Sequence, residues 1–380
     1  MMIEKTARRA LDTLEPYEIE ISDLNVVKQF AHGLKPSDVL KFNLNTNPYL
    51  PTPVLEAFAQ QITSLDVNEY PDATYISVRE GLTKYLTRFG AKVNAENIMI
   101  TNGADEALDH VTKCFIDEHA ISILPQPTYA MFKVLTEIMG GKTLAVPRKE
   151  DFSIDVDLIR KNISTKTKLL FVCSPNNPTG NTTPNSDIEE LLNIEDIVVM
   201  VDEAYGEFAK ESGEESALKL LSKYDNLIVV KTFSKAFGIA GVRVGYIITN
   251  TEIMNLLNKI RFPNSVGTIP VAIANIALEN VDWMLSVIKN LVSERKRLVQ
   301  ELSAFSEFHI FPSSTNFLLI EVSSDWSSEN IMLELMKRGI VIRSYQNPYM
   351  KNHLRITIRS PDQNDKLLEN LNEIMSGPEQ

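Results

Sequence analysis

At 380 residues the chain has room for two domains or one large α/β unit, taking about 100 to 200 residues per domain. Its 44% hydrophobic and 23% charged residues are ordinary globular composition, which excludes a disordered tract or a long coiled coil. A net charge of −12 argues against a nucleic-acid groove, so any anionic ligand has to be met by individual arginines.

In chain order, the opening MMIEKTARRALDTLEP carries basic residues but no apolar run of about 7 to 15 residues, the mark of a secretory leader. No later run approaches the ~18 apolar residues of a membrane span, so a cytoplasmic setting is the expectation. The first 45 residues lack a strand–helix rhythm and are expected to pack with the C-terminal part of the chain. From about residue 97 to 250, short β-branched runs occur at Ile98–Thr101, Ile121–Leu124, Thr143–Val146, Lys168–Cys173, Ile197–Val201, Leu227–Lys231 and Val244–Thr249. Between them lie helical patterns such as Ala104–Phe115, Tyr129–Met139 and Asn185–Asn193. This alternation predicts an α/β fold with a mostly parallel central sheet flanked by helices.

Beyond about residue 263 the pattern changes to a long helix at Val281–Phe305, then Phe308–Phe311 and Asn316–Val322. A helix ending at Arg338, strands at Ile340–Arg343 and Leu354–Ile358, and a final helix complete a smaller α+β domain. The predicted division is 46–262 for the large domain, with 1–45 and 263–380 forming the small one. Cys114 and Cys173 both sit in apolar runs and read as core residues, and the five histidines show no metal-ligand spacing.

Three polar positions each follow a predicted strand: Asn177 in Ser174–Gly180, which reads SPNNPTG; Asp202 after Ile197–Val201; and Lys235 after Leu227–Lys231. Their separations of 25 and 33 residues are close to the roughly 30 of a strand–helix–strand unit, so all three can emerge at one sheet edge. The carboxyl edge of an open α/β sheet is where ligands bind. Taken singly, each has an ordinary reading: Pro, Asn and Gly punctuate turns, an aspartate after a strand caps a helix, and a lysine beside Ser and Gly is a solvated loop cation. Together they suit another chemistry. A desolvated lysine loses its proton more readily and its amine can attach to a carbonyl. A carboxylate aimed at a pyridine nitrogen keeps that nitrogen protonated and makes the ring an electron sink, which is pyridoxal phosphate chemistry.

The segments SPNNPTG, VDEAYGEF and KTFSKAFGIAGVRVGY, in this order and spacing, resemble the signatures of the fold-type I pyridoxal-phosphate aminotransferases. The resemblance implies that residues 46–262 bind the cofactor, that Lys235 carries it covalently and that Asp202 pairs with its pyridinium nitrogen. It implies that Tyr205 and Asn177 hydrogen-bond the phenolic oxygen and that Thr232, Ser234 and Arg243 grip the phosphate. In TNGADEALD, Gly103 opens a helix, so the amides of Ala104 and Asp105 would face that phosphate, as helix N-termini favour anions. Tyr129 resembles the residue that stacks on the cofactor ring. Tyr70 resembles a tyrosine that reaches the phosphate in the neighbouring subunit, which implies an obligatory homodimer.

Within that superfamily the chain most resembles the histidinol-phosphate aminotransferase family, through LEPYEIE, LNTNPYLPTP, EYPDATYISVREGL, NGADEAL, STNFLLIEV, GIVIRSY and HLRITI. By this likeness Arg355 binds the substrate's distal anion with help from Arg343, Asn45 contacts substrate and Tyr17 closes over the site. Arginine suits that task because its planar fork meets phosphate with paired charge-assisted bonds. Two departures stand out: Arg359 adds a cation near the anion site where the family has a glycine-containing stretch, and Val78 precedes Arg79 where Leu is common. The implied reaction passes the amino group of L-histidinol phosphate to 2-oxoglutarate, giving imidazole acetol phosphate and glutamate. The alternatives on this scaffold are a threonine-phosphate decarboxylase or another amino-acid aminotransferase.

Overall fold

The computed structural model describes residues 9–11, 14 and 21–377. After strand β1 (Leu40–Lys41) comes a seven-stranded sheet built from β2 (Ile98–Thr101), β3 (Ile121–Gln126), β4 (Lys142–Pro147), β5 (Thr167–Cys173), β6 (Val198–Asp202), β7 (Leu227–Thr232) and β8 (Gly245–Thr249). Its spatial order is β2-β8-β7-β6-β5-β3-β4. Strands β4, β3, β5, β6 and β7 are mutually parallel, whereas β8 runs antiparallel to both β7 and β2. The reversal follows from the β7–β8 connection, which returns without a crossover helix.

The central strands read as unbroken apolar runs because both faces are covered. Alternate residues enter different cores: Val172, Val201, Val229 and Ile248 on one face, Phe171, Met200, Ile228 and Ile247 on the other. Phe171 and Phe132 stack at 4.7 Å between centroids in the second core, and truncating such a buried ring costs about 3 to 5 kcal/mol. The helix Gly103–Phe115 buries Ala107, Leu108 and Val111 against this face.

A second sheet is formed by β9 (Phe308–Ile310), β10 (Phe317–Val322), β12 (Arg343–Asn347) and β13 (Met350–Thr357), antiparallel in the order β12-β13-β10-β9. The strand expected at Ile340–Arg343 is divided. Its first part, β11 (Ile340–Val341), pairs in parallel with β1, and the chain then turns so that Arg343 starts β12 beside β13. Val26, Ala31 and Val39 form a cluster with Met336 and Val341, which joins the early segment to the C-terminal elements. Among the described residues no single helix is long and apolar enough to cross a membrane.

This topology determines what gathers at one edge. The carboxyl ends of β2, β5, β6 and β7 and the start of the antiparallel β8 meet there, with Thr101 opposite Gly245 and Gly245 opposite Thr232. The connections leaving these ends carry Asp105, Asn177, Tyr205, Lys235 and Arg243.

Candidate active site

A cleft of about 810 Å³ opens at this edge and is bounded on its far side by the β12–β13 hairpin. Lys235 projects into it from the β7–β8 connection. Its Nζ donates to the Leu44 carbonyl at 3.2 Å and lies 5.7 Å from the Tyr205 ring centroid. Burial pushes its ammonium down to about 8; the Arg355 and Arg243 charges act in the same sense, while Asp105 and Asp202 oppose them.

Asp202, at the end of β6, is buried and accepts the Ala204 amide through Oδ1 at 2.9 Å. Burial lifts its carboxyl to about 6; the Ala204 bond opposes this, Asp105 and Glu203 add to it and Lys231 opposes it. Among the described residues no ion pair neutralises it. Tyr205 is buried with its ring edge-on to Phe317, and its hydroxyl accepts from Asn45 Nδ2 at 3.0 Å. Burial pushes the Tyr205 phenol up from its ordinary value. Asn45 is itself held by Thr357 and Asn316, so its side chain serves Tyr205 while it lines the cleft.

The SPNNPTG loop separates its two asparagines. Asn177 lines the cleft and accepts from Arg355 Nη1 through Oδ1 at 2.7 Å. Asn176 is fully buried, donating to the Pro127 carbonyl at 3.0 Å and accepting from Thr128 Oγ1 at 2.8 Å. The sequence contains no signal for this division of labour between adjacent identical residues.

An anion seat lies at the opposite end. The first-turn amides of the Gly103–Phe115 helix, including those of Ala104 and Asp105, lack intrahelical partners by geometry. Facing them, Arg243 Nη1 lies 3.4 Å from Ser234 Oγ, and Thr232 Oγ1 lies 2.9 Å from the same oxygen. Gly103, at φ +75°, is required here: a Cβ would run into the Arg243 guanidinium. The Asp105 carboxylate spans the seat, 3.0 Å from Arg243 Nη2 and 3.1 Å from the Tyr129 hydroxyl. Tyr129, expected to open a helix at Tyr129–Met139, sits instead in the loop before the Met131–Ile138 helix.

Arg355 and Arg343 are register partners on β13 and β12 and both line the cleft. Arg355 is buried, donates from Nη2 to the Asn43 carbonyl, stacks 5.5 Å over Phe317, and keeps a buried Nε without a hydrogen-bond partner. The Arg343 guanidinium lies 5.6 Å over the Tyr345 ring. The cation expected from Arg359 is directed elsewhere: its Nε donates to Gln363 at 3.1 Å and Nη1 lies 3.4 Å from Thr46, outside the cleft lining. Its side chain braces the start of the final helix, which the local sequence could not distinguish from a ligand contact. Val78 is fully buried, and Arg79 donates to the Ala95 and Thr74 carbonyls. Tyr70 is 85% exposed and does not enter its own chain's cleft. Tyr17 lies outside the described residues.

Behind the cleft is a feature the sequence reading missed. Lys231 is fully buried with Nζ 3.4 Å from Glu203 and 3.2 Å from Glu207, and Tyr85 donates to Glu207 at 3.0 Å. These two glutamates flank Tyr205 in sequence and tie its turn to the buried Lys231 ammonium of β7. The donor set in the cleft fits pyridoxal phosphate: an amine with a depressed pKa, an uncompensated buried carboxylate and a cationic anion seat at a helix N-terminus.

Residues 37–371 match the family model for aminotransferase class I and II, and the chain belongs to that family. It is therefore an aminotransferase. Among curated relatives, the histidinol-phosphate aminotransferase of Methanocaldococcus jannaschii is 32% identical over 381 residues, covering 99% of each chain. In three dimensions the fold is similar to the histidinol-phosphate aminotransferase of Sinorhizobium meliloti in complex with pyridoxal-5'-phosphate, with a TM-score of 0.85, 24% identity and 97% of each chain covered. The L-threonine-O-3-phosphate decarboxylase of Porphyromonas gingivalis shares the same fold at a TM-score of 0.77 and 21% identity, over 89% of this chain and all of that one.

Proposed function

We propose that this aminotransferase transfers the amino group of L-histidinol phosphate to 2-oxoglutarate, with pyridoxal 5'-phosphate as its cofactor. The observation that carries the reading is the pairing of Arg355 with Arg343 across adjacent strands, facing the cleft that contains Lys235 and Asp202. The relatives that share 30% or more of the sequence over nearly its whole length support the choice of substrate.

When bound, the pyridinium ring stabilises negative charge at the substrate's α-carbon. Lys235 would hold the cofactor through Nζ, and the same amine, once free, would be the base that accepts the substrate's α-proton. An ammonium lowered to about 8 is deprotonated often enough near neutral pH to act as this base. Asp202 retains the proton on the ring nitrogen. Tyr129 would stack on the ring, and Asn177 and Tyr205 would meet its phenolic oxygen, with Asn45 orienting Tyr205. Thr232, Ser234, Arg243 and the amides of Ala104 and Asp105 receive the phosphate. Arg355 and Arg343 receive the substrate's distal anion, using the fork geometry that matches phosphate.

The reading includes a cytoplasmic homodimer in which the exposed Tyr70 reaches the neighbouring subunit's phosphate seat and Tyr17 closes over substrate. Residues 46–262 act as the cofactor domain, with 1–45 and 263–380 as the smaller domain beside it. The test is to load the full chain with cofactor, reduce it with borohydride and map the modified peptide. Attachment at Lys235 is expected; attachment at another lysine would overturn the assignment.

A further inference from the structure

Arg148 is an arginine without an acid. It follows β4, is 9% exposed, and among the described residues no carboxylate pairs with it. Its Nε donates to the carbonyls of Pro125 at 3.3 Å and Pro127 at 3.2 Å, and its Nη1 donates to the Phe152 carbonyl at 3.0 Å. A buried guanidinium needs partners for its donors, and here backbone carbonyls alone meet Nε and Nη1, while the buried Nη2 has no hydrogen-bond partner. Burial accordingly pushes its pKa down to about 10, which leaves it charged at neutral pH.

The carbonyls it grips belong to segments that carry the cleft. Pro127 O is shared with Asn176 Nδ2 at 3.0 Å, and Thr128 Oγ1 returns a bond to Asn176 Oδ1 at 2.8 Å. The Tyr129 loop and the Asn177 loop are thus registered on a single carbonyl. On the other side, Phe152 O is also held by Asn181 Nδ2 at 2.9 Å, and the Phe152 ring packs with Leu319 and Met350 of the arginine-bearing sheet. Leu319 is the register partner of Arg355. One planar fork therefore connects both cofactor loops to the sheet that receives the substrate anion. A lysine carries its three donors on one nitrogen and lacks the planar fork by which separate nitrogens, Nε and Nη1, reach Pro127 and Phe152.

We propose that Arg148 is a positioning residue, its buried guanidinium setting the relative placement of Tyr129 and Asn177 against the cofactor ring. The inference rests on the function proposed above and names a residue outside the cleft lining that governs it. It acts through the loops and touches no reacting atom.

The test compares wild type, Arg148→Lys and Thr128→Val as full chains loaded with pyridoxal phosphate. Thr128→Val cuts the link to Asn176 at a half-buried site without disturbing the core cation, so it remains informative if Arg148→Lys folds poorly. Readouts are far-ultraviolet circular dichroism for fold, cofactor affinity, and the visible circular dichroism per bound cofactor, which reports ring orientation. Both variants are expected to keep the fold and the borohydride-trapped adduct at Lys235, to bind cofactor roughly three- to tenfold more weakly, as for one or two lost hydrogen bonds, and to show a diminished visible signal, more so for Arg148→Lys. Wild-type affinity and visible signal in both variants at equal folded fraction would overturn the proposal and leave Arg148 a packing residue. A wild-type chain that gives no adduct at Lys235 would instead bring down the function reading, and this proposal with it.

Discussion

Replacing Asp202 with asparagine should stabilise the cofactor-free protein while disabling the enzyme. The carboxyl is 4% exposed, accepts one amide, and ionises at about 6 where 3.8 is ordinary, chiefly through burial. A carboxyl whose ionisation is raised on folding contributes stability fully below its unfolded value, and that contribution disappears as pH rises through the folded value. Moving ionisation from 3.8 to about 6 corresponds to about 3 kcal/mol lost at pH 7.5. The substituted amide would carry no charge and still offer an oxygen to the Ala204 N–H. Denaturation of both cofactor-free proteins should show a gain for Asp202→Asn that roughly doubles between pH 5 and 7.5 and is flat above. With cofactor the order should reverse, since the ring nitrogen supplies the cation that the buried carboxylate lacks. A variant less stable than wild type at pH 7.5, or a gain independent of pH, would refute the reasoning.

Arg355→Ala should lower kcat/KM for histidinol phosphate by about 30- to 4000-fold, the equivalent of about 2 to 5 kcal/mol for a buried charge pair, while histidinol without its phosphate loses little. Equal losses with both amines would show that Arg355 only supports Asn177 and the Asn43 carbonyl. The rate at which the cofactor-free chain captures pyridoxal phosphate should climb with pH and level off just above about 8, because only the neutral Lys235 amine attacks; a rate still rising at pH 10 would mean an ordinary lysine. Asp105→Asn should tighten inorganic phosphate binding a few-fold, since the half-exposed Arg243 pair it removes is worth about 0 to 1 kcal/mol. Weaker binding, measured by calorimetry, would show that Asp105 orients Arg243 more than it competes for it.

The parts of the molecule legible in sequence are those where local pattern and tertiary environment agree. Strands β5, β6 and β7 announce themselves because burial on both faces demands unbroken apolar runs, and their polar exits at Asn177, Asp202 and Lys235 stand out against that background. The antiparallel β8 and the division of Ile340–Arg343 between two ladders depend on which strand lies alongside, which a local pattern does not encode. Arg359 and Arg355 look alike as strand-end cations; only the neighbours Gln363 and Thr46 on one side, Asn177 and Phe317 on the other, separate a helix-bracing contact from a cleft residue. Arg148 and Lys231 are invisible for the same reason, since their partners are backbone carbonyls in one case and glutamates across a strand in the other.

The most direct test of the central claim is product analysis with the loaded full-length protein, L-histidinol phosphate and 2-oxoglutarate. The account predicts glutamate in amounts equal to the amine consumed, with imidazole acetol phosphate as the keto product. Absence of glutamate with this donor, or release of carbon dioxide from threonine phosphate in its place, would contradict it.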